Sequence, residues 1–240
     1  MSGRGKGRGG DQHGKEFREM KIAILGPGRM SRALAGHWVK AGHEILIAGR
    51  TPDRAEALAS ELGPSAQVAG FPEATAEGDA VLMGARGEGV EWTLDQAGRR
   101  TFDGKVVIDM GGPMARPHYL GDVPSMAEDL QALIPGGRVV KAFNLNRACT
   151  WAMEKIVFDG YPLSIPMAGD DPAAKEVVAE LIKSIGCTPI DFGGLERSRN
   201  LEAFAAVLVR LLLEGHDQFE VFNLLIRVPD WEGEPHSRIV

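Results

Sequence analysis

The sequence predicts an α/β fold, a doubly wound parallel sheet carrying a small C-terminal α+β domain. Three observations predict it. Short apolar runs alternate with amphipathic segments on short connections from Lys21 to Asn144. The first unit, Lys21 to Arg50, reads strand, tight glycine turn, helix, strand. Beyond about Leu145 the alternation loosens, leaving room for a little more sheet and two helices. With 240 residues, 44% hydrophobic and 25% charged, the chain is in the ordinary globular class and long enough for one main core plus an annex. The expected division is a basic tail at 1–20, a dinucleotide-binding domain at 21–145 and a small C-terminal substrate or dimerisation domain at 146–240.

The tail, with SGRGKGRGG near its start, has nothing apolar to bury and is expected to be disordered. Met20 stands directly before the first strand, so a translation start there is an equally simple reading. A nucleic-acid arm is the functional alternative, weighed against a net charge of -6. The expectation is a cytoplasmic protein with no nucleic-acid or membrane partner. The apolar stretch from Leu201 to Leu213 is interrupted by Glu202 and Arg210. Cys149 and Cys187 form neither CxxC nor a zinc spacing, so free thiols and no metal site are expected.

The first strand, Ile22 to Leu25, runs into Gly26-Pro27-Gly28. A helix from about Arg29 to Ala41 follows, placing Met30, Leu34, Trp38 and Ala41 on one face. In such a unit the turn must bring backbone N–H groups close to a pyrophosphate at the helix N-terminus. Glycine permits that approach because it has no Cβ. Gly26 and Gly28 fill two fingerprint positions, and the third, usually glycine or alanine, is Ser31. An ordinary βαβ unit would also use glycines in its turn, and the flanking periodicity favours a cofactor site.

The second strand, Ile45 to Ala48, ends in Gly49-Arg50-Thr51. An NAD site usually places a carboxylate near this point for the ribose 2′-OH, yet none occurs before Asp53. A guanidinium and a hydroxyl suit a 2′-phosphate instead, so the sequence predicts NADP(H). The bland alternative is that Arg50 is a solvated surface charge.

The remaining elements follow in order. Pro52 to Leu62 is a helix with proline in its first turn, Gln67 to Ala69 a strand, Pro72 to Glu77 a short helix, and Ala80 to Gly84 the fourth strand. The loop Gly84-Ala85-Arg86-Gly87 lies at its carboxyl edge, where ligands of doubly wound sheets bind. A helix from Val90 to Gly98 leads to the strand Lys105 to Asp109, ending in Met110-Gly111-Gly112. Ser125-Met126-Ala127-Glu128 is a capping box opening a helix to Ile134, and Arg138 to Phe143 is the sixth strand, followed by Asn144. Leu163 to Met167 reads as a strand, Asp171-Pro172 opens a helix to about Ile185, Pro189 to Phe192 is a short strand, and Leu195 to Leu213 a long helix. Gln218 to Ile226 is apolar enough to dock as a helix or join a dimer contact.

With GPGRMS (26–31), AGR (48–50), VVKAFN (139–144), AGDDPAAKEVVAELI (168–182) and GGLERSRNLE (193–202) together, the chain resembles the NADPH-dependent reductases of the deazaflavin coenzyme F-420. The resemblance covers roughly Lys21 to Leu213. It implies a Rossmann-type NADP domain, a small and often dimeric C-terminal domain, and hydride passing directly between nicotinamide and deazaflavin. By resemblance, Gly26, Pro27, Gly28, Arg29 and Met30 hold the pyrophosphate, and Gly49, Arg50 and Thr51 the 2′-phosphate. Gly84, Ala85 and Arg86 flank the ribose and nicotinamide, while Met110, Ala142 and Asn144 line the place where the rings meet, with Asn146 on the substrate side. The chain departs from the usual pattern at two places. Ala85-Arg86 stand where the family carries an apolar dipeptide ending in proline, and Leu145-Asn146 where it carries threonine with an apolar residue.

Two other functions stay open at this level. A reductase of a small imine, ketone or other unsaturated compound wants a proton donor near the nascent anion, and His118 and Tyr119, after the fifth strand, are its candidates. For His118 the plainer reading, an exposed loop histidine, is the favoured one. A non-catalytic NADP sensor is the third, since fold does not fix function.

Overall fold

A computed structural model of the chain describes residues 17–112, 124–158 and 160–216. The loop holding His118 and Tyr119, most of the basic tail and the expected helix from Gln218 to Ile226 lie outside the described residues. β1 (Lys21–Leu25) is buried from Ile22 onward. A strand apolar on both faces suits only the middle of a sheet covered by helices on both sides. β1 lies there, parallel to β2 (Glu44–Ala48) and to β4 (Ala80–Met83). β3 (Ala66–Val68) flanks β2, while β5 (Val106–Asp109) and β6 (Arg138–Lys141) continue beyond β4.

Side chains alternate across each strand, so the two faces feed two cores. Ile22, Ile24, Ile45 and Ile47 point to one core, shared with α1 (Arg29–Lys40), α2 (Pro52–Leu62) and α6 (Pro172–Ser184). Ala23, Leu25, Leu46 and Ala48 point to the other, covered by α3 (Phe71–Glu77), α4 (Gly89–Ala97) and α5 (Met126–Leu133). Trp38 of α1 is fully buried, its indole N–H donating to the Leu181 carbonyl at 3.3 Å. Burying a side chain of this size stabilises by about 1.5–3 kcal/mol. The first core therefore ties α1 to α6 on one face of the sheet.

The expected elements form within a residue or two of their anticipated limits, with differences in the C-terminal part. Among the described residues no crossover helix lies between β6 and the next strand of the sheet, and a parallel neighbour needs such a connection. β9 (Ser164–Gly169) accordingly returns antiparallel to β6. α6 then supplies a crossover, and β10 (Thr188–Asp191) pairs parallel to β9. Among the described residues the order is β10-β9-β6-β5-β4-β1-β2-β3. A two-stranded hairpin, β7 (Val157–Phe158) with β8 (Tyr161–Pro162), escapes sequence periodicity because each strand has only two residues. The expected long helix opens with a 3-10 turn at Leu195–Arg197 before α7 (Ser198–Leu213).

α2 starts on proline. The Ser125 hydroxyl accepts from the Glu128 N–H at 3.1 Å and the Glu128 carboxylate accepts from the Ser125 N–H at 2.7 Å, completing the expected capping box of α5. Asp171 caps α6 by accepting from the Ala174 N–H at 2.8 Å.

Candidate functional site

Chain order reverses between β1 and β4, which are adjacent although β2 and β3 lie between them in sequence. The turns leaving their carboxyl ends diverge there and open a crevice. Gly26-Pro27-Gly28 forms one lip and Gly84-Ala85-Arg86 the other, enclosing a cleft of about 570 Å³.

The lips fit because side chains are missing where they touch. Gly26 has φ +108°, a left-handed conformation costly for any other residue. Its N–H donates to the Ala48 carbonyl at 2.8 Å. A Cβ on Gly84 would stand 2.2 Å from the Gly26 carbonyl oxygen and 2.6 Å from the Ser31 hydroxyl. Ser31 is fully buried and donates its O–H to that same carbonyl at 2.8 Å. The serine at the third fingerprint position thus braces the turn. Gly49 does not line the cleft. It makes room for Pro27, whose Cδ would be 2.8 Å from a Cβ at Gly49.

α1 begins at this turn, and its first intrahelical bond runs from the Arg32 N–H to the Gly28 carbonyl at 2.9 Å. The N–H groups of Arg29, Met30 and Ser31 have no partner within the helix. Its first turn contains no acid. An anion at that end meets free donors and the positive end of the helix dipole. Arg50, Thr51 and Arg54 line the same cleft, and among the described residues neither guanidinium makes an ion pair. Arg32, one turn into α1, pairs with Glu61 of α2. Arg54 and an aromatic wall of Phe71 and Trp92, rings 5.6 Å apart and edge to face, line it too, together with Glu88, Gly89 and Thr93. Arg54 stands one turn beyond Arg50 in the sequence, but the aromatic pair is not legible there: it comes from α3 and α4, and only the fold brings it to the crevice.

A second cleft, of about 350 Å³, lies beside the first. Arg29, Met30, Arg86, Met110, Asn144 and Asn146 line it, and Arg86 borders both clefts. Its outer wall is the apolar face of α7, with Ala205, Leu208, Val209 and Leu212. Ala142, expected at the site, is fully buried behind it and lines neither cleft. Among the described residues no histidine, tyrosine, lysine or carboxylate lines the second cleft.

Asn144 is presented by an unusual backbone. Phe143 has φ +63°, the only non-glycine among the described residues in the left-handed region. Trp38 and Trp151 hold its ring edge to face at 6.0 and 5.7 Å. The Asn144 side-chain N–H donates to the Leu201 carbonyl at 3.0 Å. Its Oδ1 is buried and has no hydrogen-bond partner among the described residues.

Beneath the second cleft sits a buried charged cluster. Lys141 and Asp109 are directly paired residues at the ends of β6 and β5. The fully buried Lys141 Nζ donates to Asp109 Oδ2 at 2.7 Å, to Glu202 Oε1 at 2.6 Å and to the Gly111 carbonyl at 2.7 Å. Burial raises the Glu202 carboxyl above its usual range, against the pull of the Lys141 ammonium. Nearby, the guanidinium of Arg199 holds the Glu128 carboxyl below the usual range.

Comparison with known proteins agrees with this architecture. Residues 21–113 match the family described as NADP oxidoreductase, coenzyme F-420-dependent. The F-420-dependent NADP reductase of Methanocaldococcus jannaschii is 32% identical over 212 residues, covering 80% of this chain and 92% of that protein. The metalloreductase STEAP3 of Rattus norvegicus is 32% identical over 183 residues, 76% of this chain, but the chain spans only 36% of that relative's length. A solved structure of a candidate F-420-dependent NADP reductase from Arthrobacter sp. FB24 superposes with a TM-score of 0.70 at 30% identity, covering 81% of this chain and 94% of that one.

Proposed function

The chain belongs to the coenzyme F-420-dependent NADP oxidoreductase family, and from that premise we propose that it passes a hydride directly between NADP(H) and the deazaflavin F-420. One observation carries the reading: the two clefts are contiguous, sharing Arg86 and meeting at the start of α1. Two flat ring systems held in adjoining clefts need little more than correct facing and separation.

The first cleft suits NADP. Free N–H groups at the start of α1, with Gly26, Pro27, Gly28, Arg29 and Met30, receive the pyrophosphate. Arg50 and Thr51, helped by Arg54, receive the 2′-phosphate, and Gly49 lets Pro27 close against that strand end. Gly84, Ala85 and Arg86 flank the ribose and nicotinamide. The second cleft takes the deazaflavin between Met110, Asn144 and Asn146 on one side and α7 on the other. The unpaired Oδ1 of Asn144 fits a ring bearing an amide or imide N–H, which both cofactors carry.

The rings supply the redox chemistry, and the side chains position them and exclude water. Reduction of an imine or ketone would call for a proton donor at the acceptor. Among the described residues the second cleft offers no imidazole or phenol, only the Cys149 thiol and the Thr150 hydroxyl, and variants of His118 and Tyr119 test that pair. We propose further that the exposed apolar residues of α7, Phe204, Val207 and Leu213, form the seam of a homodimer in the cytoplasm.

The test is an anaerobic assay of NADPH with oxidised F-420, read by loss of deazaflavin absorbance, beside His118→Ala and Tyr119→Phe. Direct transfer leaves both variants active. Loss of turnover in either, or no reaction with deazaflavin in the wild type, overturns the reading.

A further inference from the structure

Lys141 and Glu202 belong to the sequence stretches that mark the family, yet neither lines a cleft. Their contacts show what they do instead. Three acceptors satisfy the three protons of the Lys141 ammonium: Asp109, Glu202 and the Gly111 carbonyl. Asp109 Oδ1 accepts the Gly111 N–H at 2.9 Å, so both polar groups of that peptide residue are clamped by the cluster. A Cβ on Gly111 would lie 2.9 Å from Met126 Cε and 3.0 Å from Asp109 Oδ1, so a side chain there would press on the carboxylate that holds this peptide. The residues on either side, Met110 and Gly112, line the second cleft.

Glu202 extends the clamp to the opposite wall. It belongs to α7, three residues before Ala205, where that helix begins to line the cleft. Its two oxygens also accept the Met126 N–H at 3.0 and 3.1 Å, which ties in the start of α5. Leu201, the residue before it, receives the Asn144 side chain. Both walls of the acceptor cleft, and the asparagine between them, are thereby referred to one buried ammonium. Among the described residues none of the ammonium's hydrogen-bond partners lines the first cleft.

We propose that Lys141, held by Asp109 and Glu202, is a positioning residue that fixes the separation of the two walls of the second cleft and so the facing of the acceptor ring on the nicotinamide. This rests on the hydride-transfer reading above. A donor–acceptor misplacement of about 1 Å costs on the order of a hundredfold in rate, so a clamp at this point sets kcat.

The experiment compares Lys141→Met and Glu202→Gln with Ser198→Ala. The last removes a hydroxyl that meets Ser125 at 2.5 Å and helps dock the root of α7 without touching residues 110–112. For each protein kcat and KM for the deazaflavin, Kd for NADPH, melting temperature and amide hydrogen exchange are measured. The expected result is a fall in kcat of about tenfold or more in Lys141→Met and Glu202→Gln. NADPH affinity stays within roughly threefold, since no NADPH-binding contact of the first cleft is removed. Exchange rises at 110–112 and 205–212 but not at 26–28, and Ser198→Ala loses stability while keeping kcat. If the cluster variants lose only melting temperature and turn over like wild type, it is a structural anchor and the inference fails. Should Lys141→Met not fold, the milder Glu202→Gln decides by the same measures. Failure of the wild type itself to reduce deazaflavin overturns the functional reading, a result distinct from an active wild type with unaffected variants.

Discussion

Gly84→Ala places one methyl group where the two lips of the cofactor cleft touch. Its Cβ would lie 2.2 Å from the Gly26 carbonyl oxygen, 2.6 Å from Ser31 Oγ and 3.0 Å from the Leu25 carbonyl oxygen. Two of those atoms are backbone, and the third is a buried hydroxyl already bonded to Gly26. The turns must part by roughly 1 Å or more to reach ordinary contact distance. Overpacking of this kind costs about 1–3 kcal/mol of stability. Parting the turns also moves the N–H groups that face the pyrophosphate, and a hydrogen bond to a charged group is worth about 1.5–3 kcal/mol. Losing one weakens NADPH binding roughly 10- to 160-fold. Fluorescence titration with NADPH and a thermal melt read the two effects. Gly28→Ala is the companion, because nothing lies within 4 Å of its added Cβ and its φ of -79° is ordinary. That variant keeps its melting temperature and loses affinity only where the methyl meets ligand. If Gly84→Ala binds NADPH as the wild type does, the crevice is not the cofactor site.

The other predictions concern charge and thiols. Arg50→Ala lowers NADPH affinity by roughly tenfold or more and leaves NADH affinity within about twofold, as read by parallel titrations; an equal loss for both nucleotides removes Arg50 from the 2′-phosphate. His43 is buried, accepts the Met20 N–H on Nδ1 at 3.2 Å and so donates from Nε2 to Ser184 at 3.0 Å. Burial lowers its pKa below the ordinary 6.5. A depressed folded value means the unfolded chain binds the proton more readily, so this contribution is full above pH 6.5 and is lost as pH falls through the folded value. Denaturant melts of wild type and His43→Gln converge as pH falls below 6.5, and parallel curves would refute the assignment. Cys149 is exposed, whereas burial pushes the Cys187 thiol up to about 11. A disulfide reagent at neutral pH therefore modifies one thiol in the native protein and both after unfolding.

Much of this was legible in the chain because the signals are local. An apolar run, a glycine turn and a helical stripe lie within thirty consecutive residues from Lys21 to Arg50. That span contains the β1 turn, the start of α1 and the arginine at the end of β2. The unread features are those in which distant residues share a surface. Ser31 looks like an imperfect third glycine until the Gly26 carbonyl is seen to need its hydroxyl. Glu202 looks like an interruption in an apolar helix, yet its partner Lys141 stands 61 positions earlier. No periodicity reports the left-handed Phe143, because two tryptophans from other elements hold it there. Strand direction after β6 was hidden too, since it depends on what the intervening connection does not contain.

The most direct test uses NADPH deuterated at the transferable position of its nicotinamide. The protein is mixed anaerobically with oxidised F-420 in ordinary water, and the deazaflavin absorbance and the isotope content of the product are followed together. Direct transfer predicts bleaching with the label in the reduced deazaflavin. Absence of bleaching, or a product whose hydrogen comes from solvent, contradicts it.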